Sequence, residues 1–148
     1  MKRLFVLASI LSLSAAAYAT DQSFNATLKL YKPITITKVS DLLIPDATLT
    51  GSDFNIVVAT GDSGAATFNA QGGKNRNITR SVVESKIEMS ASGVKGKIAV
   101  DTFVLAGPTA FDGSGNANGL KVGATAHVLA ASEDGDYSGT ATMRVVYQ

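Results

Sequence analysis

The feature that most constrains this chain is a two-residue alternation of apolar and polar side chains that recurs from residue 24 to the end. Phe24, Ala26, Leu28 and Leu30 alternate with Asn25, Thr27 and Lys29, and Ile34 and Ile36 keep the same parity beyond Pro33. Successive side chains of an extended strand leave opposite faces, so such runs read as half-buried strands. The same pattern predicts strands over 54–60, 65–70, 78–83, 86–91, 97–105, 119–130 and 139–147. Clusters of Gly, Asn, Asp and Ser at 61–64, 71–75, 92–93 and 112–119 separate them, and residues of these types favour turns. The last cluster, DGSGNANG, is expected to form a long loop. No segment beyond residue 20 sustains apolar residues at helical spacing for three turns. Residues 81–89 come nearest, and the β-branched pair Val82-Val83 argues against a helix there. Short strands and glycine-rich turns predict an all-β sandwich or barrel.

The first residues follow a different rule. Met1, Lys2 and Arg3 are followed by the apolar and small-residue run 4–17, which ends in Ala17-Tyr18-Ala19. A positive start, a greasy centre and a small-x-small end make a secretory signal peptide. The run is short of the about 20 apolar residues that a membrane span needs. Residues 1–19 are therefore expected to be removed, leaving a single domain that begins at Thr20.

Charge and composition narrow the function. The chain has 13 basic and 12 acidic residues, and Lys2 and Arg3 fall in the leader, so 11 basic residues face 12 acidic ones afterwards, a net charge of −1. Such a balance offers no bulk attraction for nucleic acid or an anionic membrane. There are no cysteines, which removes disulfides, thiol catalysis and cysteine metal sites. The single histidine, His127, lies in a strand whose inward set is Leu120, Val122, Ala124, Ala126 and Val128. It is expected on the opposite face as a plain surface residue, and no G-x-S-x-G elbow accompanies it. Glu133, Asp134 and Asp136 cluster around Gly135 but depart from the spacing of a calcium loop, so they read as a solvated turn. Gly113, Gly115 and Gly119 miss a phosphate-binding pattern by one residue, with no helix to follow. The basic run Gly72-Gly73-Lys74-Asn75-Arg76-Asn77 reads as the exposed end of a hairpin. No catalytic group, metal or cofactor is expected.

The ends of the chain carry more. The C-terminal strand places Ala141, Met143, Val145 and Tyr147 on one face, and the run Gly135-Asp136-Tyr137-Ser138-Gly139 precedes it. An upstream glycine, alternating apolar residues and a penultimate aromatic resemble the C-terminal motif of chaperone–usher pilus subunits. The cysteine-free, colonisation-factor branch is the nearest in character. The Gly-x-Tyr-x-Gly run is also similar to the ending of an uncharacterised family of secreted, fimbria-like bacterial domains. The resemblance implies an incomplete immunoglobulin-like β-sandwich, completed by a strand donated from the next subunit. It assigns residues 20–31 to the donor segment, with Phe24, Ala26, Leu28 and Leu30 as its inserted side chains, and 32–148 to the pilin domain. In this reading Pro33, which removes a ladder donor, separates the two. Gly135, Tyr137, Gly139, Met143, Val145 and Tyr147 would form the motif read by chaperone and usher. The implied partners are copies of the chain itself in a head-to-tail polymer, a periplasmic chaperone and an outer-membrane usher, with export through the periplasm to a surface fimbria.

Two readings compete with this one. Phe24–Leu30 could be the domain's own first strand, since Ile34 and Ile36 continue the alternation without a glycine hinge. A self-complete secreted sandwich could also bind a carbohydrate or host protein through its loops, although the chain has no Trp to offer as a sugar platform.

Overall fold

A computed structural model describes residues 20–148; the leader expected over 1–19 lies outside the described residues. Eight strands follow in order: β1 (Thr35–Ser40), β2 (Phe54–Val58), β3 (Ala66–Gln71), β4 (Ile78–Val82), β5 (Lys86–Ser90), β6 (Lys97–Ala106), β7 (Asn116–Val128) and β8 (Met143–Tyr147). No described residue is helical. The strands form two antiparallel sheets packed as a β-sandwich. The larger has the order β1-β3-β7-β6-β5, with β2 also on β7, and the smaller is the pair β4-β8.

β7 organises the larger sheet. One of its edges pairs with β6. The other is shared, since β3 occupies Asn116 to Val122 and β2 takes Ala124 to Val128. Gly123 lies at the junction, where a Cβ would stand 2.3 Å from the Val58 carbonyl oxygen, so only glycine lets the β2–β3 connection pass. Where Asn118 and Gly119 together face Asn69, β7 bulges. Gly119 takes φ +72° there and its N–H donates to the Asn69 side chain at 3.0 Å. A left-handed residue at a bulge is glycine's natural place. A second bulge, in β6, falls at Thr102, which holds φ 52° although it is β-branched.

The expected inward set of β7 is buried throughout: Leu120, Val122, Ala124, Ala126 and Val128 are all 8% exposed or less. The core divides in two along this strand. Near its start, Ala70, Ile78, Phe111, Ala117, Leu120 and Val145 form one cluster. Near its end, Ile98, Val100, Ala124, Ala126 and Val128 form the other. The β6–β7 connection seals the first: Ile78 N–H donates to Thr109 O (2.9 Å) and Phe111 N–H to Arg76 O (2.8 Å), which carries the Phe111 ring into the core.

Four sequence expectations are corrected. The alternative that Phe24–Leu30 is the domain's own first strand fails, since no strand forms over 20–34 although the alternation is as regular as any in the chain; a strand needs a hydrogen-bonded neighbour as well as a pattern, and the segment has none among the described residues. The last strand begins at Met143 rather than at 139, because residues 139–142 contact the sheet through side chains and isolated bonds rather than a ladder. The loop at 112–119 is shorter than expected, since β7 already starts at Asn116. The basic run 72–77 is no hairpin end: it carries the chain from β3 in one sheet to β4 in the other.

Candidate interaction site

The second layer has only two strands, so it covers the first core cluster and leaves much of the second to irregular chain. Two segments flank that region. Residues 41–49 run from the end of β1 without regular structure. Leu42 and Ile44 turn inward onto the second cluster, while Leu43 is 65% exposed. The segment therefore has the alternation of a strand, yet its one backbone bond to the rest of the described domain runs from Leu43 N–H to Gly64 O at 2.8 Å.

The opposite wall is the stretch 133–143 that leads into β8. Three attachments fix it beside β5 and the β4–β5 turn, one of them the Val83 N–H donating to Thr142 O at 2.9 Å. Ser90 and Ser138 exchange backbone hydrogen bonds, each of 2.9 Å. Glu84 accepts from Thr142 through both its N–H (2.7 Å) and its hydroxyl (2.9 Å). The Thr142 N–H holds the Glu84 carboxyl below its usual range. Gly135 lies against Ala91 and Val94, and Gly139 against Met89. Tyr137 packs on the second cluster, and its hydroxyl donates to Glu133 O at 2.9 Å.

Between these walls is an apolar trough. It comprises a cavity of about 470 Å³ floored by Phe68, Val100, Phe103 and Val122, and a second of about 430 Å³ floored by Phe54, Ile56, Ile98 and Val128. Ile44, Met89 and Tyr137 line both, so the two form one channel along the inner face of β7. The chemistry of this channel is that of burial, with apolar side chains on the floor and extended backbone on either side.

The segment before β1 and the last strand meet at the start of β7. The Tyr147 hydroxyl donates to the Lys32 carbonyl and accepts from Gly73 N–H at 2.7 Å. Its ring stacks on Tyr31, with centroids 4.9 Å apart, and meets Phe111 edge-on. Val145 is buried, and Met143 and Tyr147 pack on the first cluster. The C-terminal motif is thereby split: Val145 and Tyr147 belong to the closed half of the sandwich, Gly135, Tyr137 and Gly139 line the trough, and Met143 does both. The proposed donor side chains face solvent, with Phe24 90%, Leu28 81% and Leu30 80% exposed, and Ala26 exposed beside them.

His127 lies on the outer face of the larger sheet, away from the trough, but it is more than a plain surface residue. Its Nδ1 is 2.8 Å from Asn55 Oδ1 and its Nε2 is 2.8 Å from Asp101 Oδ1, so the ring ties β2, β7 and β6 together. The bond from His127, with a further one from the Thr102 hydroxyl, holds the Asp101 carboxyl below its usual range. Register explains the cluster, since Asn55 and Ala99 both pair with His127 while Asp101 pairs with Thr125, two residues earlier on the same face of β7. No spacing in the sequence announces it. The walls at Leu42 and Ile44 were equally missed, although their alternation was a signal.

No curated protein and no solved structure matches the chain. Residues 34–147 match the model of a domain of unknown function, DUF4402. That match begins just past Pro33 and takes in every strand described above, so the chain belongs to this domain family.

Proposed function

We propose that this chain is a non-catalytic structural subunit of a bacterial surface fibre, in which residues 20–31 of one copy complete the sandwich of the next. One observation carries the reading: a regular apolar alternation with no partner among the described residues, Phe24 to Leu30, coexists with an apolar trough flanked by two extended walls that are held by isolated backbone bonds rather than a ladder. An unpaired edge beside exposed core invites strand addition. A donated strand would bond to both walls through its backbone while alternate side chains fill the floor. Burying Phe24, Leu28 and Leu30 would contribute on the order of 5 kcal/mol. Donation from each copy to the next does not close on itself, so it builds a filament. The resemblance of the C-terminus to pilus subunits supports the same role, with a periplasmic chaperone shielding the trough and an outer-membrane usher assembling the fibre.

The reading is tested on material sheared from cells that express the chain with its genetic neighbours. A ladder on a denaturing gel that collapses to one band on boiling is expected, because strand-complemented polymers are kinetically locked. Deleting residues 20–30 should abolish the ladder and leave a folded subunit. A ladder that survives this deletion would refute strand donation.

A further inference from the structure

Two motifs are left unused by strand donation alone: the basic run 72–77 and the acidic run 133–136. The fold sets them at opposite poles. β7 is 13 residues long, about 40 Å at ~3.3 Å per residue. At its start, Gly72 N–H donates to Gly115 O (2.9 Å) and Asn75 N–H to Asp112 O (3.0 Å), which brings Lys74 and Arg76 to this pole. The Arg76 guanidinium lies 5.2 Å from the Tyr31 ring, and Lys32 is tied to Tyr147, so the N-terminal segment leaves the domain from this basic pole. Asp112 is here too, but its carboxylate is engaged by the N–H groups of Ser114 and Asn116. At the far end of β7 the mouth of the trough is edged by Asp46, Glu133, Asp134 and Asp136. The turn that packs on Gly135 contributes one cation there, Lys95, while the nearby Lys97 is paired with Glu88 at 3.0 Å. At the other end of the trough the charged residues, Lys38 and Asp41, pair with each other at 2.6 Å.

Length and charge together choose how a donated segment lies. Phe24 to Leu30 is seven residues, about 20 Å from end to end, as is the floor from Val122 to Val128. With Leu30 at the Val128 end, Lys29 on the outward side of the segment and Lys32 just beyond it fall among the carboxylates. The donor's own domain then follows at once, and its Lys74 and Arg76 approach the same acidic rim. The reverse direction brings Asp21 to that rim and separates the poles. We infer that successive copies dock pole to pole. The donated segment runs parallel to β7, and Lys29, Lys32, Lys74 and Arg76 of one copy meet Asp46, Glu133, Asp134 and Asp136 of the next. This rests on the strand-donation reading, whose acceptor is a second copy of the chain.

The test reverses each pole in the full chain. One variant carries Glu133→Lys, Asp134→Lys and Asp136→Lys; the other carries Lys29→Glu, Lys32→Glu and Arg76→Glu. The substituted side chains are solvent-exposed, and urea unfolding checks that both variants fold. Each alone should assemble at least about tenfold more slowly than the native chain at low salt, with the deficit shrinking as salt screens the poles. Mixing the two variants should restore assembly, as an alternating copolymer. Native rates for both single reversals, or failure of the mixture to recover, would overturn pole-to-pole docking. A third variant, Phe24→Asp with Leu28→Asp, separates the two proposals: if it alone blocks assembly, strand donation stands without the charge contact. If it assembles normally, both readings fall.

Discussion

The two halves of the core share one strand and one alternation but differ in what covers them. At the start of β7, Leu120 is 0% and Phe111 2% exposed, sealed by β4, β8 and the β6–β7 connection. At the end of β7, Ala126 and Val128 are as regular in pattern and also buried, yet the partly buried side chains packed on them, Phe54, Ile56, Ile87 and Met89, face the open trough. The difference lies in the second layer. β8 is laddered to β4 over five residue pairs, whereas the walls of the open half hold on by isolated bonds. A sheet face is therefore not a core until a second layer lies over it, and this chain supplies that layer for one half.

The sharpest way to break this contrast is a pair of equal truncations. Leu120→Ala in the closed half should cost about 4 kcal/mol, and Ile98→Ala on the trough floor about 2, because a cavity open to solvent is less penalised than a sealed one. Urea unfolding of the unassembled subunit measures both. Equal costs would mean that the trough is already filled in the free chain, by its own N-terminal segment. A smaller effect comes from the two tyrosines. Tyr147→Phe loses the bonds to Lys32 and Gly73 and should cost about 1–2 kcal/mol. Tyr137→Phe loses one exposed bond to Glu133 and should cost under about 0.5 kcal/mol. Similar values in urea unfolding would erase the distinction between a locked and an open end.

The smallest effect is a pH dependence at the closed end. Asp112 accepts N–H bonds from Asn116 (2.9 Å) and Ser114 (2.8 Å), and the bond from Asn116 foremost holds its carboxyl below the usual range. A depressed folded pKa adds stability above the unfolded value, and that stability is lost as pH falls through the folded one. Asp112→Asn should therefore lower Tm slightly at neutral pH, with the difference from the native chain vanishing in acid, so that its fall below about pH 4 is flatter. An unchanged acid limb would show that the turn does not depend on the charge.

Much of this was legible in the sequence because strand patterns are local. The inward set of β7 follows from parity alone, and the strands from β2 to β6 lie close to where alternation and turn residues put them. Parity shows that the Phe24–Leu30 segment has the pattern of a strand, but it cannot show that the segment lacks a neighbour among the described residues. The same gap hid the walls at Leu42 and Ile44, whose alternation is short and ends at Pro45. The His127 cluster was invisible for another reason: Asn55, Asp101 and His127 meet through register across three strands, and register depends on bulges such as the one at Thr102.

The sequence by itself determined that this is an all-β chain with alternating faces, a polar outside and no cysteine, because each of these depends on residue type and near neighbours. Only the tertiary structure decided which strands share a sheet, that β3 and β4 belong to different layers, and that the second layer stops at two strands. Those outcomes depend on pairings between residues far apart in the chain. Their free energy is realised only when both partners and the layer above them are in place together.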